Sequence, residues 1–382
     1  MNRVEQDLGL DPAHGPGRRN ADEDLPLAVA RRFLGADPKL CLAPFGTGLI
    51  NATYRADGAA GGFVLQRING AVFPAPERII DNLALLQSMA EDRPHIAVRL
   101  PTLIEAADGK SFVRDPHGGI WRLMRRIEPS RVLTGVQTAR QAAEIGRALG
   151  RFHRLGAEID AQRFHVTLPG FHHTPSYLAA LEETLAGIGQ TAGDCTDALA
   201  FIAERRSLAS ALDDAVRRGL TAPRLIHGDP KLDNLLFDAK GERALCLIDL
   251  DTVQPGLIHH DIGDCLRSCC NHRGEAADAR QQVRFDLEVC AGILAAYADQ
   301  VRDLLGSAEI DLIYAAIRLI PFELGIRFLT DHLRGDRYFR VSAHGENLHK
   351  ARVQFALVAD IERKQRAIES LVAGSFGAGS AA

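Results

Sequence analysis

The pattern of the chain changes at Glu128-Pro129, and this change limits what the chain can fold into. Before it, short apolar runs between Gly-rich breaks predict six strands, at residues 40–45, 52–55, 63–68, 100–105, 111–114 and 120–127. Helical spacing predicts two helices there, at 25–34 and 77–90. After it, helical spacing dominates, at 139–155, 175–188, 197–218, 260–269, 277–305, 310–334 and 348–371. We therefore predict an α+β fold with a small β-rich lobe over residues 25–127 and a larger, mostly helical lobe over 128–371, flanked by a disordered tail at 1–24 and a flexible tail at 372–382.

Charge and cysteine content exclude several classes of partner. The 45 Lys and Arg against 49 Asp and Glu give a net charge of −4, so the chain has no general attraction for nucleic acid or an anionic membrane. No stretch approaches the ~20 apolar residues of a membrane span, and no apolar segment follows Met1, so we expect a cytoplasmic protein. The seven cysteines include no C-x-x-C pair and predict neither a disulfide framework nor a zinc ribbon.

A strand-loop-strand segment at residues 224–251 interrupts the helices and carries the polar residues that phosphoryl transfer needs. Its loop reads His-x-Asp-x-Lys-x-x-Asn over residues 227–234, and a second Asp follows fifteen residues after the Asn. Such a reaction uses a carboxylate that accepts the hydroxyl proton, oxygen ligands for Mg²⁺ and a cation for the transferred group. We predict Asp229 as the base, Asn234 and Asp249 as Mg²⁺ ligands, and Lys231 as the cation.

A second candidate lies between the first two predicted strands, where Gly46, Thr47, Gly48 and Asn51 form a Gly-rich loop. Glycines let backbone N–H groups approach phosphate oxygens closely, so this loop suits a hairpin that covers a nucleotide. A plain hairpin turn fits the local sequence almost as well.

Together these motifs resemble the aminoglycoside phosphotransferase/choline kinase superfamily, which has a protein-kinase-like fold. Five stretches are more specifically similar to the N-acetylhexosamine 1-kinases, at residues 48–54, 63–69, 73–74, 248–264 and 327–339. The similarity extends over about residues 40–368. It implies ATP-dependent phosphorylation, with Mg²⁺, of the anomeric hydroxyl of N-acetylglucosamine or N-acetylgalactosamine.

The resemblance also implies nucleotide contacts, with one departure from the usual kinase pattern. The loop at 46–51 would cover the phosphates, and the strand that includes Arg125 would end in a hinge that touches adenine. The strand that usually carries a phosphate-binding lysine has Gln66 and Arg67 instead. Strand alternation puts these two on opposite faces, so only one can face the nucleotide. If it is Gln66, the cation must come from elsewhere, for example from Lys231.

The acceptor pocket is predicted from polar and aromatic residues near the catalytic loop, since a neutral sugar calls for hydrogen-bonding groups and an aromatic face. The candidates are Asp251, Asp264, Arg327, Asp331 and Phe171. Arg327 and Asp331 lie four apart on one predicted helix and would equally form an ion pair without a function.

Two alternatives remain open at the level of sequence. One is a related kinase for an amino alcohol, homoserine or an aminoglycoside. The other is a module that binds nucleotide or sugar without transfer, which the altered strand at Gln66 and Arg67 favours and the intact Asp229, Asn234 and Asp249 disfavour. The sequence leaves the oligomeric state open.

Overall fold

The computed structural model describes residues 25–46, 50–96, 98–188, 193–271, 283–339 and 341–377. The predicted tail at 1–24 and two of the loop candidates, Thr47 and Gly48, lie outside the described residues. The prediction of an α+β fold with a small β-rich lobe and a larger helical lobe is confirmed. None of the helices within the described ranges is both long and apolar enough to cross a membrane.

The small lobe is an antiparallel five-stranded sheet with one helix before it in sequence and a second helix between its third and fourth strands. Its elements are α1 (Leu25–Leu34), β1 (Cys41–Pro44), β2 (Ala52–Gly58), β3 (Gly61–Arg67), α2 (Pro76–Glu91), β4 (Val113–Arg114) and β5 (Ile120–Arg125). The strand order is β1-β2-β3-β5-β4. Strand alternation places Leu65 of β3 and Leu123 of β5 in a core with Phe33 of α1. The residues next to them on each strand point to the opposite face, toward the large lobe.

One predicted strand, at 100–105, is wrong. This segment makes a single isolated bridge between Leu103 and Met124 and two flanking backbone hydrogen bonds to β5. Pro101 has no N–H to donate, so the pairing cannot extend into a regular ladder.

The large lobe is helical apart from short strands around the predicted catalytic segment at 224–251. Its strands are β6 (Ser130–Val132), β7 (Arg224–Ile226), β8 (Leu235–Asp238), β9 (Ala244–Leu247) and β10 (Gln254–Gly256), paired as β6-β8-β9 and β7-β10. Its helices are α3 (Ala139–Ala157), α4 (Thr174–Ile188), α5 (Thr196–Glu204), α6 (Ala211–Arg217), α7 (Ile258–Cys269), α8 (Leu287–Val301), α9 (Ser307–Asp311), α10 (Ile313–Leu333), α11 (Glu346–Arg363) and α12 (Gln365–Gly377).

Three predicted helices, at 197–218, 310–334 and 348–371, are each divided in two. The last one also reaches farther than predicted, because α12 continues to Gly377 rather than ending at 371. Val372 and Phe376 are buried, and the ring of Phe376 packs against the ring of Tyr297 in α8, with 6.4 Å between the two centroids. Apolar burial against α8 therefore orders the first part of the predicted flexible tail.

The predicted catalytic segment is supported by the close approach of α3 and α8. Gly146 of α3 faces the backbone of α8, where a Cβ atom would collide with the carbonyl oxygen of Ile293. Phe152 and Leu155 of α3 continue this core and pack in the same cluster as Leu225 and Ile226 of β7. Because β7 is packed in this core, it fixes the position of the loop that follows it.

We expect Gly146→Ala to destabilise the protein by about 2 kcal/mol, because the new methyl group must push two packed helices apart. The measurement is urea unfolding followed by circular dichroism. The matched control is Gly187→Ala in α4, where a Cβ atom meets nothing within 4 Å and a gain of about 0.5–1 kcal/mol is expected. Equal stability of Gly146→Ala and the parent would contradict the packing argument.

Candidate active site

The loop between β7 and β8 carries the predicted catalytic residues and has a backbone shape that needs glycine. Gly228 has a φ of +88°, and a Cβ atom there would lie 2.7 Å from the carbonyl oxygen of Thr252. Thr252 in turn donates its hydroxyl to the carbonyl oxygen of His227 at 2.8 Å. The loop and the segment after β9 are thereby joined next to Asp229.

A residue that sequence reasoning missed, Asp261 of α7, holds the backbone of this loop. Its fully buried carboxylate accepts the N–H of His227 at 2.7 Å and the N–H of Gly228 at 2.8 Å. It also contacts the ring of His153 at 2.9 Å. Burial would raise the pKa of Asp261, but these hydrogen bonds and His153 lower it, so the carboxylate stays ionised. Its signal in the sequence is its place in the 248–264 stretch, which is similar to the N-acetylhexosamine 1-kinases.

The structure brings Asp229, Lys231 and Asn234 together. Lys231 Nζ lies 2.7 Å from Asp229 Oδ2, and Asn234 Nδ2 donates to the same oxygen at 2.9 Å and to the Asp229 carbonyl at 2.8 Å. Burial lowers the pKa of Lys231, but Asp229 more than offsets this, and the net shift is upward. The amide oxygen of Asn234 remains free of hydrogen bonds within the described residues, so it can serve as a ligand.

Asp249, the second predicted metal ligand, sits at the bottom of the same cleft in a strained backbone. Its φ is +62°, in the left-handed region that non-glycine residues adopt infrequently. Enclosure in the cleft, together with the carboxylates of Asp251 and Asp229, raises the pKa of Asp249 to about 7. The side chain itself opens onto the cleft. This excess of negative charge, beside an amide oxygen, fits the hard oxygen ligands that Mg²⁺ prefers.

The structure resolves which of Gln66 and Arg67 faces the cleft. Gln66 of β3 pairs across the sheet with Thr53 of β2 and Arg122 of β5, so the three form one row on the face toward the large lobe. Arg122 donates Nε and Nη2 to the amide oxygen of Gln66, at 3.0 and 2.7 Å. Sequence reasoning missed Arg122, which lies 56 residues from its partner.

Asp251, predicted to contact the acceptor, instead connects the two lobes. Its Oδ1 lies 2.6 Å from Nη2 of Arg122, and both side chains are almost completely buried, at 3% and 2% exposure. Its other oxygen, Oδ2, accepts a hydrogen bond from Nδ2 of Asn51 at 2.7 Å. Asn51 is therefore engaged with Asp251, whereas it was predicted to belong to the phosphate loop. Of that loop, Gly46 is described, and its φ of +77° is a turn conformation.

Two predicted nucleotide contacts, Arg67 and Arg125, point the other way. Arg67 lies on the opposite face of β3 from Gln66, and its Nε is 3.3 Å from the buried carboxylate of Asp115. Arg125 sits over the ring of Phe63 at 4.9 Å, on the side of the sheet that faces α1. Strand alternation explains both corrections.

One side of Asp229 is closed by a buried pair, His172 and Glu323, neither of which was among the predicted site residues. His172 has a φ of +59°, and its ring donates Nε2–H to the carbonyl oxygen of Gly228 at 2.7 Å. Its Nδ1 lies 3.0 Å from Glu323. Burial would raise the pKa of Glu323, but His172 and neighbouring donors lower it to about 2. Burial would lower the pKa of His172, but Glu323 and the other partners raise it overall, so the pair is ionic.

The predicted pocket residues Arg327 and Phe171 meet, whereas Asp331 faces a different direction. The Arg327 guanidinium is surrounded by four aromatic rings at 5.0–5.9 Å, those of Phe171, Tyr177, Tyr338 and Phe339. In the described part of the chain, no carboxylate pairs with it and no acceptor takes a hydrogen bond from it. Asp331 instead accepts three backbone N–H groups of residues 337–339 and the amide of Asn347. It therefore shapes the loop after α10, and the alternative ion pair with Arg327 does not form.

Asp264, another predicted pocket residue, forms an ion pair with Arg267 at 2.8 Å. Its second oxygen, Oδ2, is buried and has no hydrogen-bond partner among the described residues. Burial raises the pKa of Asp264, with Asp229 acting in the same direction and Arg267 opposing it. Asp264 thus lies near the base and keeps some hydrogen-bonding capacity.

Comparison with known proteins agrees with this geometry. Residues 42–297 match the Phosphotransferase enzyme family, and the chain belongs to that family. A microcompartment-associated aminopropanol kinase is similar in structure, with a TM-score of 0.62 and 18% identity over 90% of this chain and 98% of that one. An aminoglycoside phosphotransferase from Alicyclobacillus acidocaldarius gives a TM-score of 0.60 and 16% identity over 96% and 98% of the two chains. A choline kinase from Cryptosporidium parvum gives 0.58 and 12% over 90% and 95%. At these identities the likeness establishes a shared fold.

We expect Asp249→Asn to raise the melting temperature of the metal-free protein at pH 8. The pKa of Asp249 rises from 3.8 in the unfolded chain to about 7 in the folded protein. Ionisation of this carboxyl therefore destabilises the folded state above pH 3.8, and the full effect is reached above about pH 7. The gain should therefore be smaller at pH 5 than at pH 8 in scanning calorimetry. The same variant should bind Mg²⁺-ADP at least ~10-fold more weakly by titration calorimetry. An unchanged affinity would remove Asp249 from the metal site.

We expect the His172–Glu323 pair to lose its contribution to stability as the pH rises. The pKa of His172 is raised above 6.5, so the stabilisation is complete below about pH 6.5 and is lost as the pH passes the folded-state pKa. Urea midpoints between pH 6 and 9 should fall for the parent relative to His172→Gln. The matched control is His173→Gln, which alters the exposed neighbouring histidine. A constant difference between the parent and His172→Gln would show that this pair is not ionic.

Proposed function

We propose that this phosphotransferase transfers the γ-phosphoryl group of ATP, bound with Mg²⁺, to the anomeric hydroxyl of an N-acetylhexosamine. The observation that carries the proposal is Arg327, a guanidinium without a protein acceptor in the described ranges, set among aromatic rings on the acceptor side. Burial lowers the pKa of Arg327, but Tyr177, Glu323 and other neighbours, among them Asp229, raise it overall, so the side chain stays charged. The influence of Asp229 indicates that Arg327 lies near the proposed base.

The charge of this pocket supports a neutral acceptor with a carbonyl group. A cationic amine would meet the Arg327 guanidinium, and the nearby acids are already paired, Glu323 with His172 and Asp264 with Arg267. An acetamido carbonyl accepts hydrogen bonds from a guanidinium, and the aromatic rings offer flat surfaces to the apolar face of a sugar. These features favour an N-acetylhexosamine over the amino alcohols and aminoglycosides that related kinases phosphorylate.

The proposed mechanism assigns roles to four residues around the acceptor hydroxyl. Asp229 accepts its proton, while Asn234 fixes the orientation of the Asp229 carboxylate. Lys231 supplies positive charge beside the position of the transferred group. Asn234 and Asp249 would hold Mg²⁺, which neutralises the charge on the phosphate oxygens when it is bound.

The test measures ADP formation with Mg²⁺-ATP and a panel of acceptors. The panel contains N-acetylglucosamine, N-acetylgalactosamine, glucosamine, glucose, homoserine, choline and kanamycin. We expect turnover with the N-acetylhexosamines and an acid-labile sugar 1-phosphate as product. Asp229→Asn should bind Mg²⁺-ADP as the parent does and lose at least ~100-fold in kcat, because it keeps the shape of the base and removes its proton acceptance.

Glucosamine is the informative comparison, since it differs from N-acetylglucosamine by an ammonium group in place of the acetamido group. Arg327→Gln should reduce the preference for N-acetylglucosamine over glucosamine by about 10-fold, because it removes the positive charge and keeps a donor. Turnover with choline, kanamycin or homoserine alone would replace the proposed acceptor and retain the phosphotransferase reaction. ADP binding without turnover on any acceptor would favour the non-catalytic binding module.

A further inference from the structure

We propose that Arg122 on β5 is the positioning residue that takes the place of the usual lysine on β3. In this arrangement the cation lies on the strand next to β3. It fixes the Asp249–Asp251 segment relative to the nucleotide-binding strands. The proposal rests on the proposed function only in requiring a Mg²⁺-nucleotide as ligand. The identity of the acceptor does not enter into it.

The first step is the position of Arg122 in the sheet. Gln66 occupies the β3 position expected for the lysine, and Arg122 is its direct cross-strand partner. The two side chains therefore share a face and are joined by two hydrogen bonds at 2.7 and 3.0 Å. A cation is thus present in the same row of the sheet, supplied by the neighbouring strand.

The second step is the partner of Arg122 in the large lobe. Asp251 lies two residues after the proposed metal ligand Asp249 and 2.6 Å from Arg122 Nη2. In protein kinases a strand lysine and a helix glutamate form an ion pair that must be in place for activity. Here the ion pair joins the sheet directly to the metal-binding segment. Displacing Arg122 would therefore displace Asp249 relative to the nucleotide.

The third step is that the hydrogen-bonding capacity of this buried pair is not saturated. Within the described residues, Nη1 of Arg122 has no hydrogen-bond partner, and the short approach to Asp251 Oδ1 lacks the alignment of a hydrogen bond. Replacing such a pair by apolar residues is often neutral or stabilising. Stability alone thus gives little reason for a buried charge here, and a positioning role does.

The experiment compares Mg²⁺-ADP affinities by titration calorimetry, without acceptor, for three variants. Arg122→Gln should weaken binding by ~10-fold or more and raise KM for Mg²⁺-ATP, with KM for the acceptor within about twofold of the parent. Arg67→Gln is the matched control, since it removes an arginine from the other face of β3, and it should bind like the parent. The double variant Gln66→Lys with Arg122→Gln returns the cation to β3 and should recover most of the affinity.

The outcomes separate positioning from packing. If the double variant recovers its affinity for Mg²⁺-ADP, binding depends on a positive charge in this row of the sheet. A packing defect caused by the loss of Arg122 would persist in the double variant. Parent-like affinity in Arg122→Gln, or an equal loss in Arg67→Gln, would overturn the proposal. If Arg122→Gln does not fold, Arg122→Lys keeps the charge without the paired donors to Gln66, and we expect it to lose less than ~10-fold in affinity; a loss of ~10-fold or more would overturn the role of the charge. If no acceptor is found for the parent, the ADP affinities still decide the matter.

Discussion

The buried carboxylate of Asp261 is the constraint on which the rest of the site depends. It accepts the N–H of Gly228, and the imidazole of His172 donates to the carbonyl oxygen of the same residue. Both polar groups of Gly228 are thus held by charged partners from two different parts of the large lobe. Because the loop is buried, removing either partner would leave a backbone group without solvent to replace it. The position of Asp229, the next residue, follows from these contacts.

Sequence could predict the parts of this site that are local in the chain. The spacing of Asp229, Lys231 and Asn234 sets their mutual distances within one tight loop, and strand alternation already required that only one of Gln66 and Arg67 face the cleft. The replacement cation could not be predicted in the same way. Arg122 meets its partners only through strand pairing and lobe docking, at separations of 56 residues along the chain or more.

The fold shows the same limit for helix boundaries and for surface predictions. Helical periodicity runs through the breaks between α9 and α10 and between α11 and α12, so the pattern alone gives one helix where the structure has two. Arg327 and Asp331 have the spacing of an ion pair, but the loop after α10 brings backbone N–H groups to Asp331. Tertiary contacts of this kind compete with a local pair worth only a few tenths of a kcal/mol.

The small lobe holds the proposed metal-binding segment at a second point besides Arg122. Asn82 of α2 is buried and donates to the carbonyl oxygens of Val253 and His165, both at 2.9 Å, while it accepts the N–H of His165. A neutral amide satisfies these backbone groups without the desolvation cost of a buried charge. Residues 249–253 are therefore tied to the sheet through Asp251 and to α2 through Val253. Both ties are formed between groups of the protein, so the backbone of Asp249, with its positive φ, is held by contacts on the residues that follow it.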